Sequence, residues 1–87
     1  MNNLFTRGQE FSIVPQNFKY ANKGKVVDIL ERCVVLELEN PPIGLEKMKF
    51  NEYYSQTRNG MLYFSSAIAK IDEEKNRIVI IDRKSVV

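Results

Sequence analysis

The chain contains no histidine and a single cysteine, Cys33. The first absence removes the side chain best suited to proton transfer near neutral pH, and with it the Ser-His and Cys-His nucleophile pairs. Cys33 would need a nearby cation to lower its thiol pKa. Arg32 adjoins it in sequence but points to the opposite face of a strand, so Cys33 reads as a half-buried packing residue. The carboxylate pairs Glu37 with Glu39 and Glu73 with Glu74 have the spacing of a solvated strand face and of a turn. Neither offers the two contrasting environments that acid and base roles require. With no histidine and one cysteine, zinc has no ligand set, and the acidic residues never take the spacing of a calcium loop. Gly8, Gly24, Gly44 and Gly60 each stand alone, read as turn residues, so no glycine-rich loop cradles a phosphate. The residues thus predict a non-enzyme with no cofactor and no metal.

Stacking and charge are the remaining chemistry. Small barrels bind nucleic acid by pairing exposed aromatics with basic side chains. Two patches could serve: Phe18, Lys19, Tyr20, Lys23 and Lys25, or Lys49, Tyr53, Tyr54 and Arg58. A net charge of only +2, evenly spread, is weak footing for a dedicated nucleic-acid binder. Nucleic acid therefore ranks as the second choice of partner.

The elements that would carry such residues are strands. Eighty-seven residues make one domain, residues 1–87, at the small end of what a single core stabilises without metal or disulfide. Hydrophobic residues at 44% and charged residues at 28% suit a soluble globular chain. A lone cysteine fits a reducing compartment, and the first ten residues lack a secretory pattern. Apolar runs reach only about four residues, so no membrane insertion is expected and the cytoplasm is the expected location.

Turn-forming residues recur at short intervals between segments rich in Val, Ile, Phe and Tyr, the rhythm of an all-β chain. Period-two alternation places strands at 9–14, 25–30, 33–38, 47–55, 61–71 and 77–81. Residues 40–42, Asn-Pro-Pro, break the ladder after the third strand. Asn59-Gly60 predicts a type I′ hairpin, in which both central residues have positive φ. The strand at 61–71 changes the character of both faces partway, which predicts a bulge or sharp bend. A short helical turn fits 44–48. The apolar stripes nominate Ile13, Val27, Ile29, Leu36, Leu38, Phe50, Leu62, Phe64 and Ile80 as core, with Met48, Phe50 and Tyr54 on the apolar face of the fourth strand. The last strand is apolar on both sides: Ile78 and Ile80 on one, Val79 and Ile81 on the other. Six strands on short connections argue for a small antiparallel β-barrel or a barrel-like sandwich.

Phe5-Thr-Arg-Gly-Gln-Glu-Phe-Ser-Ile-Val14, the stretch KGKVVDILERCVVLELENPP, the aromatic hairpin EYYSQTRNGMLYFSSAIAKI and the closing RIVIIDRKSVV together resemble the N-terminal barrel of YcgR-type flagellar brake proteins. The similarity rests on pattern: a Gly-Gln before the first strand, a G-K-V-V-D-I strand, prolines after the third strand and a late Y-F-x-S-x-I strand. That barrel precedes a PilZ domain, the cyclic di-GMP receptor, and is related to it in fold. Laid on the PilZ Asp/Asn-x-Ser-x-x-Gly motif, Asp28 matches the acidic position, but Leu30 stands for the serine and Cys33 for the glycine. The Arg-x-x-x-Arg grip is also missing: Arg7 is followed four residues later by Phe11, and Arg83 by Val87.

The resemblance therefore implies a PilZ-like, six-stranded antiparallel (split) β-barrel that lacks the nucleotide motifs itself. It would be the first half of a two-domain receptor, with the nucleotide-binding linker expected to start near Arg83. Its role would be regulatory, in motility control, with a PilZ domain in cis or in trans and a protein target such as the flagellar motor as partners. Contacts to a ligand or partner are expected at Asp28, Arg83 and Lys84. A small-barrel nucleic-acid-binding protein of SH3-like or OB-like form is the alternative.

Overall fold

The computed structural model describes residues 5–16 and 20–81. Six strands occupy most of them: β1 (Glu10–Pro15), β2 (Asn22–Ile29), β3 (Cys33–Leu38), β4 (Phe50–Thr57), β5 (Gly60–Asp72) and β6 (Arg77–Ile81). Two three-stranded meanders, β1-β2-β3 and β4-β5-β6, join through β1·β4 and β3·β6 pairings. All pairings between strands are antiparallel, and the ring closes in the order β1-β2-β3-β6-β5-β4. The expected all-β, six-stranded antiparallel barrel is therefore the observed fold. Closure gives every strand a neighbour on both sides over part of its length; among the described residues, 60–67 of β5 pair with β4 alone. No helix among the described residues is long and apolar enough to cross a membrane.

Period-two alternation builds the core where it is strict. β3 buries Val34, Leu36 and Leu38 and turns Cys33, Val35 and Glu37 outward; β6 buries Ile78 and Ile80 against them. Ile13, Phe11 and Ile68 complete the interior with Val26 and Tyr53. Two apolar side chains from outside the strands are also buried: Phe5, before β1, and Leu45, from the 39–49 connection that links the two meanders. Phe5 contacts Phe11 and Phe64 at ring-centroid distances of 5.9 and 5.5 Å, and Phe64 stacks on Tyr53 at 4.8 Å. The connection is clamped by Asn22, whose side chain donates to the Ile43 carbonyl at 3.0 Å and accepts from the Ile43 N–H at 3.1 Å.

Four expectations need correction. In β2 it is Val26, in phase with the buried Asn22 and Gly24, and not Val27 that lies in the core; beyond the bulge between Val26 and Asp28 the register sets Ile29 opposite Val34, but at the strand end it stays 37% exposed. In β4 the inward set is Asn51, Tyr53 and Ser55, so Phe50 is 45% exposed and Met48 and Tyr54 lie off the core. Asn51 and Ser55 can take those inward positions because each forms a side-chain hydrogen bond there. Ser55 Oγ donates to the Glu10 carbonyl at 2.7 Å, and Asn51 donates to the Lys49 carbonyl at 3.1 Å. Of the two turn residues at 59–60 only Gly60 has positive φ, +124°, so the hairpin is not type I′: it turns on Arg58 and Asn59 and closes on the Thr57–Gly60 pair. Residues 44–48 form no helix; Met48 instead holds a left-handed φ of 67° while its N–H donates to the Ile68 carbonyl at 2.7 Å. The bend expected in β5 is present, as a register shift between Ile68 and Lys70. Leu62 and Phe64, expected in the core, pack against it half-buried.

Tyr53 leads to a pH prediction. Its side chain is fully buried and its hydroxyl finds no hydrogen-bond partner among the described residues. Burial pushes the phenol far above its ordinary value of 10.0, with the nearby Asn51 amide opposing part of that shift. A raised phenol pKa favours the folded state fully below pH 10 and loses that contribution as pH rises from 10 through the folded value, because the unfolded chain ionises first. Tyr53→Phe should therefore raise stability by about 1 kcal/mol at neutral pH, by removing an unsatisfied hydroxyl, and flatten the alkaline loss. Urea unfolding at about pH 7 and about pH 10.5 reads both effects.

Candidate functional site

The outer surface of the β1–β4–β5 side carries two of the three exposed aromatics among the described residues, Phe50 and Tyr63; the third, Tyr20, precedes β2. Antiparallel registers align Lys23 with Ser12, Ser12 with Tyr54, and Tyr54 with Tyr63, a row across four strands. Directly opposed residues share a face, so these four side chains point outward together. The Tyr54 and Tyr63 rings lie 5.0 Å apart, tilted by 38°, and Tyr63 is 52% exposed. Met61 and Phe50, both exposed, stand towards either end of the same surface. Tyr54 is fixed by its hydroxyl, which donates to Glu52 Oε1 at 2.9 Å. That hydrogen bond to a carboxylate is the leading cause holding the Tyr54 phenol above its ordinary pKa.

Beside the row lies a cleft of about 590 Å³. Its floor runs over the strands at Phe11, Gly24 and Leu38, and its walls include Lys23, Lys25, Glu10, Glu37 and Glu39, with Tyr54, Gln56 and Met61 at one end. Charges alternate in sign across the barrel girdle: Glu10 opposes Lys25, Lys25 opposes Glu37, Glu37 opposes Arg77 and Arg77 opposes Asp72. The Arg77–Glu37 pair approaches to 3.8 Å. Two lysines face three glutamates in the cleft, so it offers no concentrated positive field. Gly24 supplies the close approach on which the floor depends: a Cβ there would lie 2.8 Å from the Glu37 carbonyl oxygen and 2.9 Å from Leu38 Cδ2. Its place is inside β2 rather than in a turn.

The residues singled out in the sequence separate in space. Asp28 is held by Arg7, whose Nη2 donates to Asp28 Oδ1 at 3.0 Å while Nη1 donates to the Val27 carbonyl at 2.8 Å. The same carboxylate oxygen accepts the Ile29 N–H at 3.0 Å. Asp28 thus ties the segment before β1 to β2, and the pair, 67% and 46% exposed, contributes no more than about 1 kcal/mol. Arg83 and Lys84 lie outside the described residues, as do Phe18 and Lys19. Of the two proposed nucleic-acid patches, Tyr53 is buried and cannot stack, Lys49 and Arg58 are exposed away from the cleft lining, and Tyr54 joins Lys23 and Lys25 from the other patch. Sequence reasoning missed Tyr63, Met61 and Glu10, because only the strand registers bring them beside Tyr54 and the lysines. Cys33 is half-buried with a free thiol. Among the described residues no three acidic or cysteine side chains converge as a metal site.

No family model, curated protein or solved structure matches the chain.

Proposed function

We propose that this barrel is a non-catalytic, cytoplasmic interaction domain that docks a protein partner through the outer β1–β4–β5 surface and its adjoining cleft. The observation that carries this reading is the meeting of half-buried Tyr54 and exposed Tyr63 and Met61 with lysines and glutamates of alternating sign. Aromatic and methionine side chains within a polar, mixed-charge surround are the composition of a protein-binding surface. Each strand already has a neighbour on both sides over part of its length, which favours recognition through such outward side chains over strand addition.

The resemblance to YcgR-type proteins supplies the specific form: a domain of bacterial cyclic di-GMP signalling in motility control, acting with a PilZ domain in cis or in trans on a target such as the flagellar motor. The engagement of Asp28 by Arg7 supports a chain that does not itself hold the nucleotide. One observation favours the nucleic-acid alternative, the Lys23–Ser12–Tyr54–Tyr63 row. It weighs less, since Glu10, Glu37, Glu39 and Glu52 lie in or beside that surface and repel phosphates.

Calorimetry separates these readings. Cyclic di-GMP and a single-stranded oligonucleotide should each give no saturable heat with this chain, because paired arginines, the main source of bidentate phosphate recognition, are absent from the site. A dissociation constant of about 1 μM or tighter for cyclic di-GMP, abolished by Asp28→Ala, would make the degenerate motif a working site and overturn the reading.

A further inference from the structure

Glu52 is the only charged residue of β4, and it sits half-buried on the outer β1–β4–β5 surface. Its register partners are Val14 on β1 and Ser65 on β5, and its neighbours along the outward face of β4 are Phe50 and Tyr54. Tyr63, opposite Tyr54, stands diagonally beyond. The outward positions of β1, of β4 and of the part of β5 paired with β4 hold two charges, Glu10 and Glu52, and no lysine or arginine. Bases stand around the margin: Lys23 and Lys25 on β2, Lys49 before β4, Arg58 at the hairpin turn and Lys70 beyond the β5 register shift. Among the described residues the ion pairs are Arg7 with Asp28 and Arg77 with Glu37, so Glu52 has no cationic partner there. A carboxylate drawn partly out of water is ordinarily matched by a counter-charge.

We infer that Glu52 and the aromatic rings around it receive an arginine side chain of the protein partner; this rests on the docking reading above and supplies its specific contact. A cation over an aromatic face is attracted by the ring, and Phe50 and Tyr63, 45% and 52% exposed, flank the carboxylate together with Tyr54. The Tyr54 hydroxyl, donating to Glu52 Oε1 at 2.9 Å, holds the acceptor in place before a partner arrives. Guanidinium is planar and weakly hydrated, so it can lie against a ring while its N–H groups reach the carboxylate; the compact ammonium of lysine gives up more water for the same contact. An anionic group would be repelled by Glu52 and Glu10, and a purely apolar one would cover Glu52 and leave its charge unmatched. The marginal lysines repel a uniformly basic segment, so the partner that fits presents an arginine among neutral or acidic residues.

The probe is N-acetylarginine N-methylamide, titrated into the 87-residue chain and followed by two-dimensional NMR. Saturable shifts centred on Phe50, Tyr54 and Tyr63 are expected, with a dissociation constant in the millimolar range that suits one side chain. The lysine counterpart should bind about threefold more weakly or worse. Glu52→Gln, which keeps an acceptor for the Tyr54 hydroxyl, should weaken arginine binding about fivefold or more, and Tyr63→Leu about threefold or more. Both changes fall on outward positions and should keep the far-ultraviolet spectrum of the barrel. Tyr20, exposed beside Pro15 and Gly44, is the internal reference and should show no saturable shift. Absence of saturation up to about 100 mM, equal binding of the lysine compound, indifference to Glu52→Gln, or a Tyr20 response matching that of Tyr63 each overturns the proposal. Such results remove the arginine contact alone, since a protein partner that shifts Tyr54, Met61 and Tyr63 in the same spectra would still dock at this surface.

Discussion

Leu36→Ala should lower the unfolding free energy by about 2–5 kcal/mol, while Glu37→Ala, one residue on, should change it by no more than about 0.5 kcal/mol. Leu36 is fully buried between Val26 of β2 and Ile78 of β6, its register partners on either side, so truncation removes burial from the centre of the barrel and leaves a cavity that paired strands cannot collapse. Glu37 points outward, and its ion pair with Arg77 is 3.8 Å long with both side chains 41% exposed, where water and salt screen most of the attraction. Urea titration of the two variants measures the difference directly. Equal sensitivities, or the reverse order, would mean that β3 is shifted by one residue and that every facing derived from it is inverted.

Gly24→Val should cost about 3 kcal/mol, against the ordinary preference of strands for valine over glycine. Glycine in a strand interior normally sacrifices about 0.5–1 kcal/mol of backbone entropy relative to alanine, so a β-branched replacement would stabilise a roomy site. Here the added Cβ meets the Glu37 carbonyl at 2.8 Å and Leu38 Cδ2 at 2.9 Å, and the first of these is backbone that cannot rotate away. The β2–β3 ladder must open to admit it, at the cost typical of overpacking. Because Gly24 lies in the floor of the cleft, the same change should also disturb the groove beside Tyr54. A neutral or stabilising Gly24→Val in urea unfolding would show that the two strands stand farther apart than described.

The fold was legible where one face is uniformly apolar and the turns are strongly marked. β3 shows Val34, Leu36 and Leu38 against Cys33, Val35 and Glu37, and its facing follows from the sequence directly. The breaks at Pro41-Pro42 and Asn59-Gly60 fall within a few residues of the observed strand ends. Alternation misled in β4, where the inward residues Asn51 and Ser55 are polar and are accommodated by hydrogen bonds to other backbone, one of them on β1. It misled again in β2, where the buried phase is Asn22, Gly24 and Val26, and the bulge after Val26 takes Val27 out of phase with Ile29. The candidate surface was legible only in fragments. Tyr54, Lys23 and Lys25 stood out by type, but they belonged to separate stretches of sequence, and Tyr53 beside Tyr54 is the buried member of that pair. What joins them to Tyr63, Met61 and Glu10 is the β1·β4 closure, a pairing between residues some forty positions apart that local pattern does not encode.

This chain is proposed to recognise protein through the outer β1–β4–β5 surface and to leave the nucleotide to another domain. A two-dimensional NMR titration tests it residue by residue, with cyclic di-GMP, a single-stranded oligonucleotide and a PilZ domain carrying the Arg-x-x-x-Arg grip added in turn. The expected result is no saturable shift with the first two and, with the third, perturbations confined to Phe50, Tyr54, Met61, Tyr63 and the lysines and glutamates of the cleft. Saturable shifts with cyclic di-GMP centred on Asp28, or oligonucleotide shifts along the Lys23–Ser12–Tyr54–Tyr63 row with none from the PilZ domain, would contradict it.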